Sequence, residues 1–496
     1  MNINKIIYGI LEINNKTAFG EKNEKKFFPH DKNLPTFYVP TKKPFSTINL
    51  YCGIKFDKVI GERYFGTIEK YIGEIGDLNS ELEYLKNIAC ENWKGNSKFK
   101  LEEYQDDLTP DRVDFTKYKI KSYSIDPEGC LDIDDALSIE KVTEDRYKIF
   151  IHIADVSSFI KQDSELDLEI KKRKESVYLN KFQVNMIPDK LSIDKISLIK
   201  NRLNRAFTLE LTLMKNEENW IIISHTFYKS LIKVINLSYD EAQKQLEKNK
   251  DLKNLYEIGK VLYENKFGYT PEYNTHHMVE IFMIIANVHA GKNIIDYEGA
   301  IFRKQDKNIE ASLHKLLIDF NPAVYSSYNE DIVHDSLKEN FYTHFTSPMR
   351  RYIDIIIHRI LSNKYCGTNF NIIKDEEFIK NLNDTHKIIK KINRTAELYS
   401  NIFHPDFKEC EMYTGIIVGF NENKINVYIK NMGIINVKLF DKKFSELFDY
   451  KIDRLTYELY DKILEKKTEF NINQEINIVI SITKYSAKKI NSTIIY

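Results

Sequence analysis

The chain has 496 residues, 42% apolar and 29% charged, and its 73 basic and 73 acidic residues leave no formal net charge. Such a composition fits about two to four ordinary globular domains and excludes a disordered, collagen-like or strongly polyelectrolyte chain. It also excludes helical membrane spans, because no apolar run approaches the ~18–20 residues a span needs. The longest runs, Met278–Asn287 and Ile353–Leu361, are interrupted by Glu280, Asp354, His358 and Arg359.

Residues 1–100 read as short β segments separated by turn residues: IIYGILEI, TAFG, FFPHDKNLPTFYVP and STINLYCGIKF. They predict a small antiparallel barrel of the OB or cold-shock kind, with a first helix near Ser80–Ile88. A charged stretch with Pro110, Lys98–Phe115, reads as a linker. A mixed domain is expected over 117–401, with strands first and helices later. Within it, Tyr147, Ile149, Ile151 and Ile153 alternate onto one strand face, and Met278–Ile294 and Pro348–Asn363 have helical length and period. From residue 410 to 496 alternating runs return (TGIIVGF, KINVYIK, GIINVKLF, EINIVISITK) and predict a second OB-type barrel. Five scattered cysteines without a CxxC pair indicate neither a disulfide framework nor a cysteine zinc site. The N-terminus lacks an apolar core followed by a small-residue cleavage site, so a cytoplasmic location is expected.

The most informative stretch is SIDPEGCLDIDDALSIE, residues 124–140, which places Asp126, Asp132, Asp134 and Asp135 within ten residues. Neighbouring carboxylates ~4 Å apart repel by ~4 kcal/mol at an effective dielectric near 20, so a converging set needs cations or bound protons. Hard oxygen ligands suit magnesium or manganese. Read alone, the same residues also fit an acidic solvated loop. Pro127 and Gly129 fold it tightly, however, and Ile125, Leu131, Ile133, Ala136 and Leu137 anchor it among apolar neighbours. An EF-hand does not fit, because the ligand positions and the central glycine are wrong.

The spacing D-x5-D-x-D-D in its IDP…DIDDA frame resembles the catalytic motif of the ribonuclease II (RNB) family, which includes bacterial ribonuclease R and the catalytic exosome subunit. The likeness continues in family order through FIHIADVSSFI (150–160), ESVYLNKFQVNMIPDKLSIDKISLI (175–199) and NRAFTLELTL (204–213). It resumes in MVEIFMIIAN (278–287), YTHFTSPMRRYIDIIIHRIL (342–361) and NRTAELYS (393–400). The resemblance implies an α+β fold, with a central RNB catalytic domain between an N-terminal OB/cold-shock-like barrel region and a C-terminal OB-fold RNA-binding domain. It implies hydrolysis of single-stranded RNA from the 3′ end to nucleoside 5′-monophosphates, by a two-metal-type mechanism with Mg2+ (or Mn2+). No obligate protein partner or membrane is implied, and one channel per chain makes a monomer sufficient.

By the same resemblance, Asp126, Asp132 and Asp135 match metal-binding acids, and Asp134 the acid essential for the chemical step. Arg350 matches an arginine at the scissile phosphate. Ser347 and Pro348 look like an N-cap and first helical position, which would put Arg350 and Arg351 in a first helical turn that favours anions. Tyr178 matches a tyrosine packed on the terminal nucleotide, Tyr239 one that contacts the ribose 2′-OH, and Glu397 a glutamate near the leaving nucleotide. Arg351 is a further RNA-contact candidate. Lys181, Arg205, Arg350 and Arg351 would line a basic channel. His152, His344 and His358 read as structural, the last through an i,i+4 pair with Asp354; His276 and His277 have no partner at zinc spacing. Asp155 and Arg205 read as buttresses.

The chain departs from the family in its short N-terminal region, where 64–85 resembles the end of a second cold-shock barrel. The stretch from 240 to 278 is also compressed, so no residue is assigned as the second aromatic that would clamp bases opposite Tyr178; Tyr269 is one candidate. Two other function classes compete: an RNA-binding module on a dead nuclease core, and a DNA-directed nuclease. The intact acid set speaks against the first, and ribose-dependent cleavage would exclude the second.

Overall fold

The computed structural model describes residues 5–19, 23–91, 93, 111–179, 182–270, 272–305, 323–328, 332–404, 407–408, 410–430, 432–453, 455–482 and 490–495. Its class is the expected α+β, with a closed N-terminal barrel, a central mixed sheet clad by helices, and a C-terminal β region.

Strands β1 (Ile6–Leu11), β2 (Glu24–Pro29), β3 (Phe37–Pro40), β4 (Leu50–Ile60) and β5 (Arg63–Glu74) close in the order β1-β2-β3-β5-β4. Alternation buries Ile7, Leu11, Phe27, Phe37, Val39, Cys52 and Ile54 inside the barrel. The segment read as a remnant of a second barrel is instead the closing strand of this one: β5 pairs antiparallel with β4 and parallel with β3. Helix α1 (Leu78–Ala89) follows, capped by Asp77, whose carboxylate accepts from the Ser80 N–H at 2.8 Å.

The central sheet has the order β14-β7-β8-β9-β12-β13-β6. Its strands are β6 (Val113–Asp114), β7 (Ser122–Asp126), β8 (Asp135–Lys141), β9 (Arg146–Ala154), β12 (Asn204–Asn216), β13 (Asn219–Ile232) and β14 (Val234–Ser238). The end of the presumed linker therefore already belongs to this sheet, as β6 pairs with β13. On β9, Tyr147, Ile149, Ile151 and Ile153 face one core as the alternation predicts, while Phe150 and Ala154 face the other. Between β9 and β12 lie α2 (Glu165–Arg173), the hairpin β10 (Val177–Leu179) and β11 (Phe182–Val184), and the short turn α3 (Asp189–Leu191).

After β14 come α4 (Tyr239–Gln245), α5 (Lys250–Phe267) and α6 (Thr275–Asn293); the last is the helix predicted from Met278. Two small ladders follow, β15 (Ile301–Lys304) with β16 (Val324–Ser327) and β17 (Val333–His334) with β18 (Glu339–Asn340). Helices α7 (Tyr352–Tyr365) and α8 (Glu376–Ile402) complete the domain, and α8 runs back against α1 and β10.

The C-terminal region forms two sheets. β19 (Met412–Asn421), β20 (Lys424–Ile429), β21 (Gly433–Lys438), β25 (Glu475–Ile482) and β26 (Ile490–Ile495) lie in the order β21-β20-β19-β25-β26, with β21 approaching β26. β22 (Phe448–Ile452), β23 (Thr456–Asp461) and β24 (Lys466–Asn471) form a separate meander that the alternating runs did not announce. Among the described residues no helix is long and apolar enough to cross a membrane.

Candidate active site

The acids occupy the point where β7 and β8 part. These strands pair only at Ser122↔Ser138 and Tyr123↔Leu137, and the chain then swings out through residues 127–134. Gly129 takes φ +80° at the turn, a conformation that favours glycine. The return leg is pinned. Ser197 Oγ donates to the Leu131 carbonyl (2.8 Å) and accepts from the Ile133 N–H (2.9 Å), Leu198 N–H bonds the Ile133 carbonyl (3.0 Å), and Ala154 N–H bonds the Asp134 carbonyl (2.7 Å). Asp126 thus ends β7, Asp135 begins β8, and Asp132 and Asp134 lie on a loop held by two neighbouring segments.

These carboxyls feel one another. Burial, then the charge of Asp132, pushes Asp126 up to about 6 despite a stabilising Ser124 hydroxyl. Burial pushes Asp134 up to about 8, against the opposing pull of Arg350 and the Met349 N–H. Asp135 is raised well above the ordinary carboxylate range by burial and by the charges of Asp126 and Asp134. Asp126 Oδ2 is buried and has no hydrogen-bond partner. Hard, crowded, under-satisfied oxygens are a donor set that fits magnesium or manganese. No three His, Cys, Asp or Glu side chains among the described residues converge tightly enough to hold one ion alone. A cation here would need further ligands from water or phosphate, the usual habit of magnesium.

Arg350 approaches from the other side. Its Nε stands 3.8 Å from Asp134 Oδ2, the side chain is 45% exposed, and one terminal nitrogen donates to Ser347 Oγ at 2.9 Å. The helix expected from Pro348 begins only at Tyr352, so neither arginine lies in a first helical turn. Residues 350–352 pair instead with the chain ahead of β10. Ser176 N–H bonds the Arg350 carbonyl (2.9 Å), Tyr352 N–H bonds the Lys174 carbonyl (2.8 Å), and Arg351 bridges Glu175 with φ −137°. This pairing between distant segments holds Arg351 extended and sets the start of the helix at Tyr352. Arg351 is paired with Asp354 through two bonds of 2.9 and 2.8 Å, which hold the turn.

Tyr178 projects from β10 and donates to Asp132 Oδ2 at 3.2 Å. β14 runs parallel to β7 in the register Ser238↔Asp126, which brings Tyr239 beside the acids. Burial, then Asp135 and Asp126, pushes its phenol up to about 12. Glu280 on α6 adds to that field; in the sequence it reads only as an interruption of an apolar run, not as a neighbour of the acids. Glu397 is exposed late in α8, and none of the contacts described for the acids reaches it. Tyr269 is 78% exposed on the loop after α5, and Lys181 lies outside the described residues.

The histidines set aside as structural are so placed. His152 is buried between Ser138 Oγ (2.9 Å) and Thr208 Oγ1 (2.8 Å), and His344 Nδ1 meets the Tyr325 hydroxyl at 2.7 Å. His358 bonds the Phe345 carbonyl at 2.8 Å and not Asp354, whose oxygens are taken by Arg351 and the Ser347 N–H. Asp155 is a buttress as expected, paired with Lys229 at 2.7 Å and Arg112 at 2.9 Å, and the Arg205 guanidinium lies 4.3 Å over the Phe159 ring.

Comparison with known proteins decides the family. The RNB domain matches residues 112–321 and 301–365, which together span 112–365, just over half of the chain. The chain belongs to the RNB family. The acid loop, the Tyr178 hairpin and the Arg350 turn all lie within the matched RNB residues. The probable exosome complex exonuclease RRP44 of Caenorhabditis elegans is 25% identical over 502 residues, covering 82% of this chain but 52% of its own length. The chain thus spans about half the length of such curated relatives. In fold it is similar to Mycoplasma genitalium RNase R, solved in complex with ribose methylated single-stranded RNA (TM-score 0.69, 18% identity, covering 99% of this chain and 100% of that one). It is equally similar to yeast Ssd1, a pseudonuclease (TM-score 0.68, 16% identity, 99% and 83% covered).

Proposed function

We propose that this chain is a magnesium-dependent exoribonuclease that shortens single-stranded RNA from the 3′ end and releases nucleoside 5′-monophosphates, with manganese as an alternative ion. The observation that carries the reading is the complete acid set, crowded at the β7–β8 parting and left short of internal compensation. Asp126, Asp132 and Asp135 are the residues that would hold metal, which when bound would activate water and stabilise the leaving oxygen. Asp134, under Arg350 and the Met349 N–H, serves the chemical step. Arg350, half exposed beside it, neutralises charge on the scissile phosphate. Tyr178 offers a stacking face to the terminal base, Tyr239 meets a ribose hydroxyl, and Glu397 faces the leaving nucleotide.

We assign catalysis to 117–401, extended back to β6, and RNA binding to 1–100 and 410–496. The RNA-bound state of the Mycoplasma neighbour supports RNA as the ligand. Five free cysteines suit a reducing compartment, and we place the protein in the cytoplasm as a monomer. The likeness to Ssd1 favours one other reading, a binding module on an inactive core. A 5′-labelled single-stranded RNA incubated with magnesium separates them. Progressive 3′ shortening by wild type, absent with Asp134→Asn and on an all-DNA strand, is expected. Binding without shortening would leave the inactive-core reading standing.

A further inference from the structure

Asp132 is held by more than its own loop. The hairpin β10–β11 pairs Tyr178 with Gln183 across its two strands, so both side chains leave the same face. Both donate to one atom: the Tyr178 hydroxyl reaches Asp132 Oδ2 at 3.2 Å and Gln183 Nε2 reaches the same oxygen at 3.1 Å. The opposite face of the hairpin is anchored, with Val177 and Leu179 buried against Leu82 and Leu85 of α1 and Ile389 and Ile392 of α8.

The Gln183 amide is oriented by its own neighbours. Its nitrogen also donates to Asn185 Oδ1 at 2.7 Å, and Asn185 Nδ2 donates onward to Asp189 Oδ1 at 2.9 Å. Both amide hydrogens therefore meet acceptors. Turning the amide over would set its oxygen against two other oxygens, so the network selects the donor orientation. Among the described residues, the one contact of Asp132 Oδ1 is the weak Cys130 Sγ approach at 3.7 Å.

We propose that Gln183 is a positioning residue for Asp132. With Tyr178 it immobilises Oδ2 and leaves Oδ1 as the oxygen available to a divalent ion. This rests on the metal-binding reading above and assigns a role to a residue outside the acid motif. Partners that orient a metal-ligating carboxylate are expected to change metal affinity by about 10–100-fold.

The test is titration of the full chain with Mn2+ in the absence of RNA, following free Mn2+ by electron paramagnetic resonance. Wild type, Gln183→Met, Tyr178→Phe, the double variant and Asp132→Asn would be compared. Gln183→Met keeps length but removes the donor; Tyr178→Phe keeps the stacking ring. Each single variant should weaken Mn2+ binding roughly tenfold, and the double variant by more than the two combined, because either donor can partly hold Oδ2 alone. Cleavage by Gln183→Met should recover as Mn2+ is raised, while its RNA affinity in chelator stays that of wild type. A Gln183→Met protein with wild-type Mn2+ affinity, while Asp132→Asn is impaired, overturns the role of Gln183 and leaves the metal reading intact. Wild type that binds no Mn2+ overturns both.

Discussion

Asp134 and Asp155 are about twenty residues apart in the chain and both are buried, yet their surroundings push them in opposite directions. Asp155 lies among Lys229, Arg112 and the Ser157 hydroxyl, all within 2.9 Å, and although burial works against it the two cations hold its carboxyl far below the ordinary range. Asp134 has one backbone donor and an arginine at 3.8 Å, and burial drives it up to about 8. The difference separates an acid compensated from within the fold from the one to which the proposed chemistry is assigned. Asp155 is neutralised from within the protein, so its charge is spent on folding. Asp134 and its neighbours are left with a deficit that an external cation can fill.

Substitutions should break this comparison in graded ways. The largest effect belongs to Asp134→Asn, expected to cut kcat on single-stranded RNA by about 10³-fold, the scale for losing a group that acts in the transition state. Next is Asp155→Asn, which strands Lys229 and Arg112 in the interior; a stability loss of about 3–5 kcal/mol is expected in denaturant titration, with little direct effect on chemistry. Arg350→Ala should lower kcat by about 10²-fold while RNA binding in chelator changes less. Tyr178→Ala should weaken RNA binding by about 1–3 kcal/mol, the worth of one stacked base, read by fluorescence anisotropy in chelator. The smallest effect is set by pH. Because the Asp155 pKa is depressed on folding, its stabilisation is complete above the ordinary value of 3.8 and is lost as the pH falls below it. Wild-type Tm should therefore drop below that pH more steeply than that of Asp155→Asn.

The two acids also differ in how readable they were. The acid loop is local, and its spacing, its Pro127–Gly129 turn and its apolar anchors are all visible within 124–140. The β9 alternation and the helix around Met278 were legible for the same reason: a periodic pattern written in consecutive residues. The start of α7 was not, because Arg351 is drawn into an extended bridge with Glu175, far away in sequence, and the chain at 350–352 bonds to residues 174–176. Gln183 escaped notice because its meaning lies in a cross-strand partner and a carboxylate some fifty residues away. Residues 64–74 resembled part of a second barrel, but pairing to β3 and β4 makes them the closure of the first. Local chemistry was readable; tertiary pairing was not.

One paired measurement tests the contrast most directly: the Tm of Asp134→Asn and of Asp155→Asn in metal-free buffer, alongside RNA shortening by each with magnesium. Asp134→Asn should keep or raise Tm, since it removes a carboxyl whose charged form burial disfavours, and should abolish shortening. Asp155→Asn should lose Tm and, at a temperature where it stays folded, still shorten RNA. A fall in Tm for Asp134→Asn with shortening retained would contradict the assignment of Asp134 to catalysis and return it to the role of Asp155.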